Sequence, residues 1–275
     1  MRVEDGVATR LLHVEGSPVL TRAWQPAADR VVLRAEPVDP ASVAPPRPAS
    51  ALPCRPAGPV QLELAVERVR FALGVDEDLG EFHRRFRRDP LLGPLLRRRP
   101  HFRPHRRPWP WEALAWAIVK QLIDWERAAR IQRRIVGRWG LRLGSERGAL
   151  RDVPAAGLIA GRAPAELEST GLALRRAIAL RAVAREVDAG RCDPGERGAD
   201  RRLLAVPEIG PWTVQCLDFY GRGDHDALPA GDLMYLKLVG RLARLGRRAT
   251  IEEVEEFYAR YAPYRGLAAA LSAGF

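Results

Sequence analysis

Along the first part of the chain, apolar and polar residues alternate with a period of two. Leu11–Val14, Val19–Trp24 and Arg30–Ala35 read as short strands, parted by turn signals at Glu15-Gly16-Ser17-Pro18 and Gln25-Pro26-Ala27. From Pro37 to Pro59 the composition shifts to Pro and Ala with a few Ser and Arg, too little apolar surface to build a core. Helical periodicity takes over at Val60. Leu64, Val69, Phe71 and Leu73, then Leu79, Phe82 and Phe86, suit short helices broken near Gly74 and Pro90. Pro110–Gly140 reads as one long helix with Trp111, Leu114, Ala115, Ile118, Leu122, Ile131, Ile135 and Trp139 on its apolar positions. A second helix runs through Leu174–Ala189, with Ile178, Leu180, Val183 and Val187 apolar, and Thr250-Ile251-Glu252-Glu253 is a capping box opening a third. The pattern predicts a mainly α fold with a small antiparallel β segment: residues 1–36 β-rich, 37–60 linker or loop, and 61–275 helical.

Composition narrows the class. Hydrophobic residues make up 47% of the 275, and no run of eighteen apolar residues occurs. Met1–Arg10 has no signal-peptide character, so the chain is expected to stay where it is made, in the cytoplasm, and to have no membrane partner. Cys54, Cys192 and Cys216 lie far apart with no CxxC spacing, which excludes a zinc ribbon or a cysteine-held iron–sulfur cluster and fits a reducing compartment. His101 and His105 are four apart, but Pro104 between them argues against a shared helical face. No metal or cofactor site is expected from the side chains. The formal net charge of +11 points to an anionic partner such as nucleic acid, with arginine carrying nearly all of it, because Lys120 and Lys237 are the two lysines. The arginine-dense stretch Arg84–Arg107, opposed by the single acid Asp89, suits either a nucleic-acid-facing patch or a solvated surface.

Two short segments carry candidate chemistry. In Leu203-Leu204-Ala205-Val206-Pro207-Glu208-Ile209-Gly210-Pro211-Trp212-Thr213-Val214, two apolar helical pieces flank a Pro-x-Ile-Gly turn, at about residues 200–222. Pro211 stands at the first position of the second helix, where proline is tolerated. Such a hairpin presents backbone N–H groups to a phosphate, though an ordinary αα-turn would use the same residues. Further on comes Leu228-Pro229-Ala230-Gly231-Asp232-Leu233-Met234-Tyr235, in which Asp232 opens a helix. Asp232 reads by itself first as an N-cap, with a carboxylate fixed beside a reacting centre as the other reading.

Taken together, hairpin, spacer and Pro-Ala-Gly-Asp resemble the helix-hairpin-helix DNA glycosylase superfamily, in its 3-methyladenine DNA glycosylase II branch. Pro110-Trp111-Glu112-Ala113-Leu114-Ala115-Trp116-Ala117-Ile118-Val119-Lys120-Gln121-Leu122-Ile123 resembles that family's P-F-E-A-L-x-x-A-I-x-x-Q-x-I helix. Leu172–Gly190 is similar to its R-K-A-x-x-L-x-x-L-A-x-x-V-x-x-G helix, and Ala262-Pro263-Tyr264-Arg265-Gly266-Leu267-Ala268 to its closing block. The resemblance covers roughly residues 65–270. It implies a two-lobed helical fold and removal of alkylated purines from duplex DNA without strand cleavage, by a monomer needing no cofactor. By the same resemblance Asp232 is catalytic, Trp212, Tyr264 and Cys216 line the base pocket, and Leu122 fills the gap left by the flipped nucleotide. Gln121, Pro207, Glu208, Ile209, Gly210 and Thr213 would contact DNA, and carbonyls of Leu204, Val206 and Ile209 would hold a monovalent cation.

Two departures, at Glu208 and Cys216, qualify the transfer. The family usually has Gly where this chain has Glu208, and a side chain there strains a turn that wants a positive φ. A pocket tyrosine of the family aligns with Cys216. Members that also nick DNA carry a Schiff-base lysine where this chain has Trp212, and neither Lys120 nor Lys237 replaces it. Two other readings stay open from sequence: a catalytically silent DNA-binding protein, and a glycosylase for oxidised or deaminated bases.

Overall fold

The computed structural model describes residues 1–44, 54–144 and 148–274. In chain order these form β1 (Arg2–Glu4), β2 (Val7–Val14), β3 (Ser17–Ala27), β4 (Arg30–Pro37), β5 (Val43–Ala44), α1 (Pro59–Leu73), α2 (Gly80–Phe86), α3 (Leu92–Arg98), α4 (Pro110–Lys120) and α5 (Trp125–Trp139). There follow β6 (Arg142–Leu143), β7 (Leu150–Arg151), α6 (Ala156–Ala160), α7 (Pro164–Glu168), α8 (Leu174–Asp188), α9 (Asp200–Leu204), α10 (Pro211–Leu217), a π-helical turn (Asp218–Arg222), α11 (Leu233–Leu242), α12 (Ile251–Ala259) and α13 (Arg265–Ala273). The fold is mainly helical with a small antiparallel sheet near the N-terminus. Among the described residues no helix is long and apolar enough to cross a membrane.

The chain divides into two compact units, residues 1–75 with 123–193, and 76–122 with 194–275. The first is built on a meander, β1-β2-β3-β4. Its first two hairpins turn through Asp5-Gly6 and Glu15-Gly16, and all four of these residues have positive φ (49°, 74°, 48° and 90°). Such two-residue turns match the right-handed twist of the strands they join. Asp5-Gly6 adds β1, a strand the alternation alone did not reveal. The expected turn at Gln25-Pro26-Ala27 is instead the end of β3, where the register with β4 shifts between Trp24 and Ala27 and so admits a proline. α1 packs on β2, β3 and β4. It starts with Pro59 in the position proline favours, and ends at Gly74 with φ 63°, a left-handed cap suited to glycine.

The proline-rich stretch is not wholly linker. Val38 and Val43 are buried with Leu11, Leu141 and Leu150, and β5 pairs with β6, which pairs with β7. Residues 45–53 of that stretch lie outside the described residues. In α8 the expected apolar position Ile178 is 50% exposed, and Ala177, Leu180, Val183 and Ala184 form the buried face. The sequence expectation of one helical domain over 61–275 also differs from the structure, because α1 and α5–α8 group with the N-terminal strands.

The largest change from the sequence reading is at Pro110–Gly140. Two helices stand there, α4 and α5, separated at Gln121–Asp124. The step from Leu122 to Ile131 covers nine residues, about two and a half helical turns, so a continuous helix would put them on opposite faces. Leu122 adopts φ 55° and Asp124 restarts the helix as its N-cap, accepting the Arg127 N–H at 2.8 Å. In the second unit the core is built from α2, α3, α11, α12 and α13, with Phe82, Tyr235, Tyr258 and Tyr261 at its centre. The capping box forms as expected: Thr250 accepts from the Glu253 N–H and Glu253 from the Thr250 N–H, at 3.2 and 2.7 Å. Glu253 also binds Arg247, the largest cause of a carboxyl pKa held down to about 2.

Because the Asp124 carboxylate accepts an N–H that has no partner within the helix, Asp124→Ala should lower the melting temperature while Asp124→Asn leaves it nearly unchanged. Thermal denaturation of the two variants checks this; equal losses would show that the α4–α5 break does not depend on the cap.

Candidate active site

The break after α4 positions the first group of site residues. Lys120 ends α4, and Gln121 follows with its side chain turned to the hairpin. Its carboxamide Nε2 donates to the Glu208 carbonyl at 2.8 Å and to the Thr213 hydroxyl at 3.0 Å. Next comes Leu122, 96% exposed. Its backbone has φ 55°, a left-handed conformation that residues other than glycine seldom adopt.

The hairpin itself joins α9 to α10. The Val206 N–H donates to the Leu203 carbonyl and the Ile209 N–H to the Val206 carbonyl, and six residues, Ala205 to Gly210, join α9 to Pro211 at the start of α10. Ile209 is buried at 5% exposure and anchors the turn from beneath, while Pro207 and Glu208 are exposed at its tip. Glu208 has φ 71°, the strained geometry its sequence position implied. The N–H groups of Gly210 and Trp212 have no acceptor among the described residues, as expected for the first turn of a helix. Thr213 differs from expectation. Its side chain is 1% exposed and takes Gln121, and its N–H donates to Gly210, so it braces the hairpin from inside. Gln121 likewise spends both amide hydrogens on the protein. Main-chain carbonyls are the donor type hard cations take, and the Val206 carbonyl, accepting from Ile209, keeps one lone pair for such a role. Among the described residues no group of three or more His, Cys, Asp or Glu side chains could hold a metal ion.

Asp232 stands at the N-terminus of α11, half-buried. Oδ1 accepts the Met234 N–H at 2.9 Å, and the Asp232 N–H donates to the Pro229 carbonyl at 2.9 Å. Oδ2 makes no hydrogen bond among the described residues. The carboxylate is therefore held by its backbone and by one oxygen, with the other left to act. Trp212 lies against the residue before it: a Cβ added at Gly231 would sit 3.5 Å from Trp212 Cδ1. The indole is half-buried, and its N–H is enclosed without a partner among the described residues.

Trp212, Cys216 and Tyr220 recur four residues apart and form a strip along α10 and the π turn. Cys216 is buried at 3% exposure, and burial pushes its thiol far above the ordinary range, with Asp232 adding to the shift and Lys120 opposing it. Burial likewise raises the Tyr220 phenol, again with Asp232 and Cys216 adding. Tyr235, one turn into α11 and 1% exposed, is raised well above its usual value by burial, then by Tyr220 and Asp232. The Lys120 ammonium stands over the Tyr220 ring, 5.5 Å from its centroid. None of Lys120, Tyr220 and Tyr235 was marked by the sequence reading as part of the site. The available signal was the four-residue spacing from Trp212 and the rarity of lysine in an arginine-rich chain.

Tyr264 goes elsewhere. Its ring packs against Phe82, Phe86 and His225, with centroids 5.5, 6.4 and 6.2 Å away, and no ring contact joins it to Trp212 among the described residues. The structure thus brings together Asp232, Trp212 and Cys216, and brings Gln121 to Glu208 and Thr213, while Tyr264 belongs to the aromatic core of α2 and α13.

No family model matches the chain. Over 212 residues, 75% of this chain, it is 30% identical to a Mycobacterium tuberculosis protein described as a probable bifunctional transcriptional activator/DNA repair enzyme AlkA. The match covers 42% of that relative, so the chain spans less than half its length. The 3-methyladenine DNA-glycosylase of Archaeoglobus fulgidus superposes with a TM-score of 0.80 at 22% identity, over 98% of this chain and 87% of that one. The Clostridium acetobutylicum 8-oxoguanine glycosylase/lyase, solved with double-stranded DNA, superposes with a TM-score of 0.67 at 14% identity, over 97% and 87% of the two chains. The fold is that of the helix-hairpin-helix DNA glycosylases. The sequence similarity to the Mycobacterium tuberculosis protein agrees with that fold.

A left-handed residue other than glycine costs of order 1 kcal/mol. Glu208→Gly should therefore raise the melting temperature by about 2–4 °C. A fall instead would show that the Glu208 side chain itself stabilises the hairpin.

Proposed function

We propose that the chain is a monofunctional DNA glycosylase that hydrolyses the N-glycosidic bond of alkylated purines in duplex DNA. The observation that carries this reading is Asp232: one oxygen tied to a helix N-terminus, the other unengaged, beside the half-buried indole of Trp212. The likeness to a 3-methyladenine DNA-glycosylase, at a TM-score of 0.80 against 0.67 for the 8-oxoguanine enzyme, supports alkylated bases over oxidised ones. The duplex DNA in the related complex supports the partner.

In this reading the exposed N–H groups at Gly210 and Trp212, at the positive end of α10, take a phosphate. The carbonyls of Leu204, Val206 and Ile209 would hold a monovalent cation, which when bound supplies further positive charge toward that phosphate. Leu122 enters the stack where the damaged nucleotide leaves it, and extrusion costs least where damage has weakened pairing. Alkylation makes the purine a cation. As the C1′–N bond breaks, the bonding pair goes to the purine, which leaves neutral, and positive charge moves to the sugar. Asp232 stabilises that charge, and Oδ2 takes a proton from the water whose oxygen bonds to C1′. Helix α11 keeps the carboxylate aimed, so little reorganisation accompanies the step. With Trp212 where a Schiff-base lysine would be needed, the chemistry stops at the abasic site.

The test is release of bases from methylated duplex DNA, separated by chromatography. Asp232→Asn should lower release by a hundredfold or more, on the order of other losses of transition-state charge stabilisation. Fold and DNA binding should survive, since asparagine caps a helix about as well. Robust release by the Asn variant would contradict the assignment. Borohydride should trap no covalent protein–DNA adduct, and strand breaks should require added alkali or nuclease; breaks made by the purified protein alone would show a lyase.

A further inference from the structure

We propose that Lys120 tunes the substrate range of the Asp232 site, reducing the advantage that cationic alkylated purines hold over neutral purine lesions that offer a carbonyl or ring-nitrogen acceptor. This rests on the glycosylase reading above.

Position comes first. Lys120 is the last residue of α4, and its neighbour Gln121 is locked to both Glu208 and Thr213. The backbone that carries Lys120 is thereby fixed to the hairpin. Its Nζ lies 5.5 Å from the centroid of Tyr220, at one end of the Trp212–Cys216–Tyr220 strip. Trp212, at the other end, stands where a Cβ added at Gly231, next to Asp232, would meet its Cδ1 at 3.5 Å. The ammonium and the carboxylate are both close enough to bear on the buried Cys216 thiol, with opposite sign. The π-face of an aromatic ring attracts a cation. Here one such face is already taken by a cation of the protein itself.

A charged purine entering this site meets attraction from Asp232 and repulsion from Lys120. A neutral purine with an acceptor meets no repulsion and gains a charge-assisted hydrogen bond from the ammonium. Hypoxanthine and 7-methylguanine compare the two cases well, since both are purines with a carbonyl at C6 and only the second is cationic in DNA. Lys120 also lies at the C-terminal end of α4, where any cation is favourable, but that role is indifferent to which base is released.

The experiment measures single-turnover release of 7-methylguanine and of hypoxanthine from otherwise identical duplexes. Lys120→Met should raise the ratio of the two rates in favour of 7-methylguanine by about tenfold, the scale of one partly screened charge pair. Lys120→Arg should keep the wild-type ratio. Lys120→Gln gives a second neutral side chain should the methionine variant fold poorly, and it should move the ratio in the same direction. An unchanged ratio in the neutral variants, with release intact, overturns the role of Lys120 while leaving the glycosylase reading standing. Wild-type protein that releases neither base overturns that reading, and the inference falls with it.

Discussion

The carboxamide of Gln121, donating to the Glu208 carbonyl at 2.8 Å and to the buried Thr213 hydroxyl at 3.0 Å, joins the end of α4 to both sides of the hairpin. Much else follows from that pair of bonds. Where Gln121 turns inward, α4 stops, and the chain passes through a left-handed residue before Asp124 opens α5. Leu122 is thrown outward as a result, and Lys120, one residue earlier, is held over Tyr220. The same bonds steady the strained backbone of Glu208, a residue that by its own preferences would avoid φ 71°. Removing a single buried partner leaves Thr213 unsatisfied, which costs more than the hydrogen bond is worth on its own.

Asp232 shows a comparable economy. A carboxylate half out of water is unfavourable unless something compensates it, and here the first turn of α11 does so through the Met234 N–H and the helix dipole. Only one oxygen is needed for that. The structural duty and the proposed chemical one are divided between Oδ1 and Oδ2, and neither excludes the other. The N-cap reading and the catalytic reading of Asp232, which compete at the level of sequence, are compatible in the structure.

The elements with strong local signals were legible in the sequence. Capping at Thr250 and proline at the starts of α4 and α10 reflect interactions within a few residues. The hairpin and Asp232 were legible for the same reason. What escaped depends on partners distant in sequence. The break at Gln121 is decided by residues 208 and 213, and the partly folded proline-rich stretch by β6 at 142–143. Tyr264 was expected at the pocket from its motif, yet its ring joins Phe82 and Phe86, more than 170 residues earlier. Lys120, Tyr220 and Tyr235 come together from three separate helical segments, and no local pattern marks them as a group.

The central claim is that Asp232 stabilises positive charge at the sugar. It is tested most directly by binding two abasic-site analogues in the same duplex, one a positively charged pyrrolidine and the other a neutral tetrahydrofuran. A site complementary to the charged transition state should hold the pyrrolidine at least about tenfold more tightly than the tetrahydrofuran. In Asp232→Asn that preference should vanish while tetrahydrofuran binding persists. Equal affinity for the two analogues in the wild-type protein, or a preference that survives in Asp232→Asn, would contradict the claim.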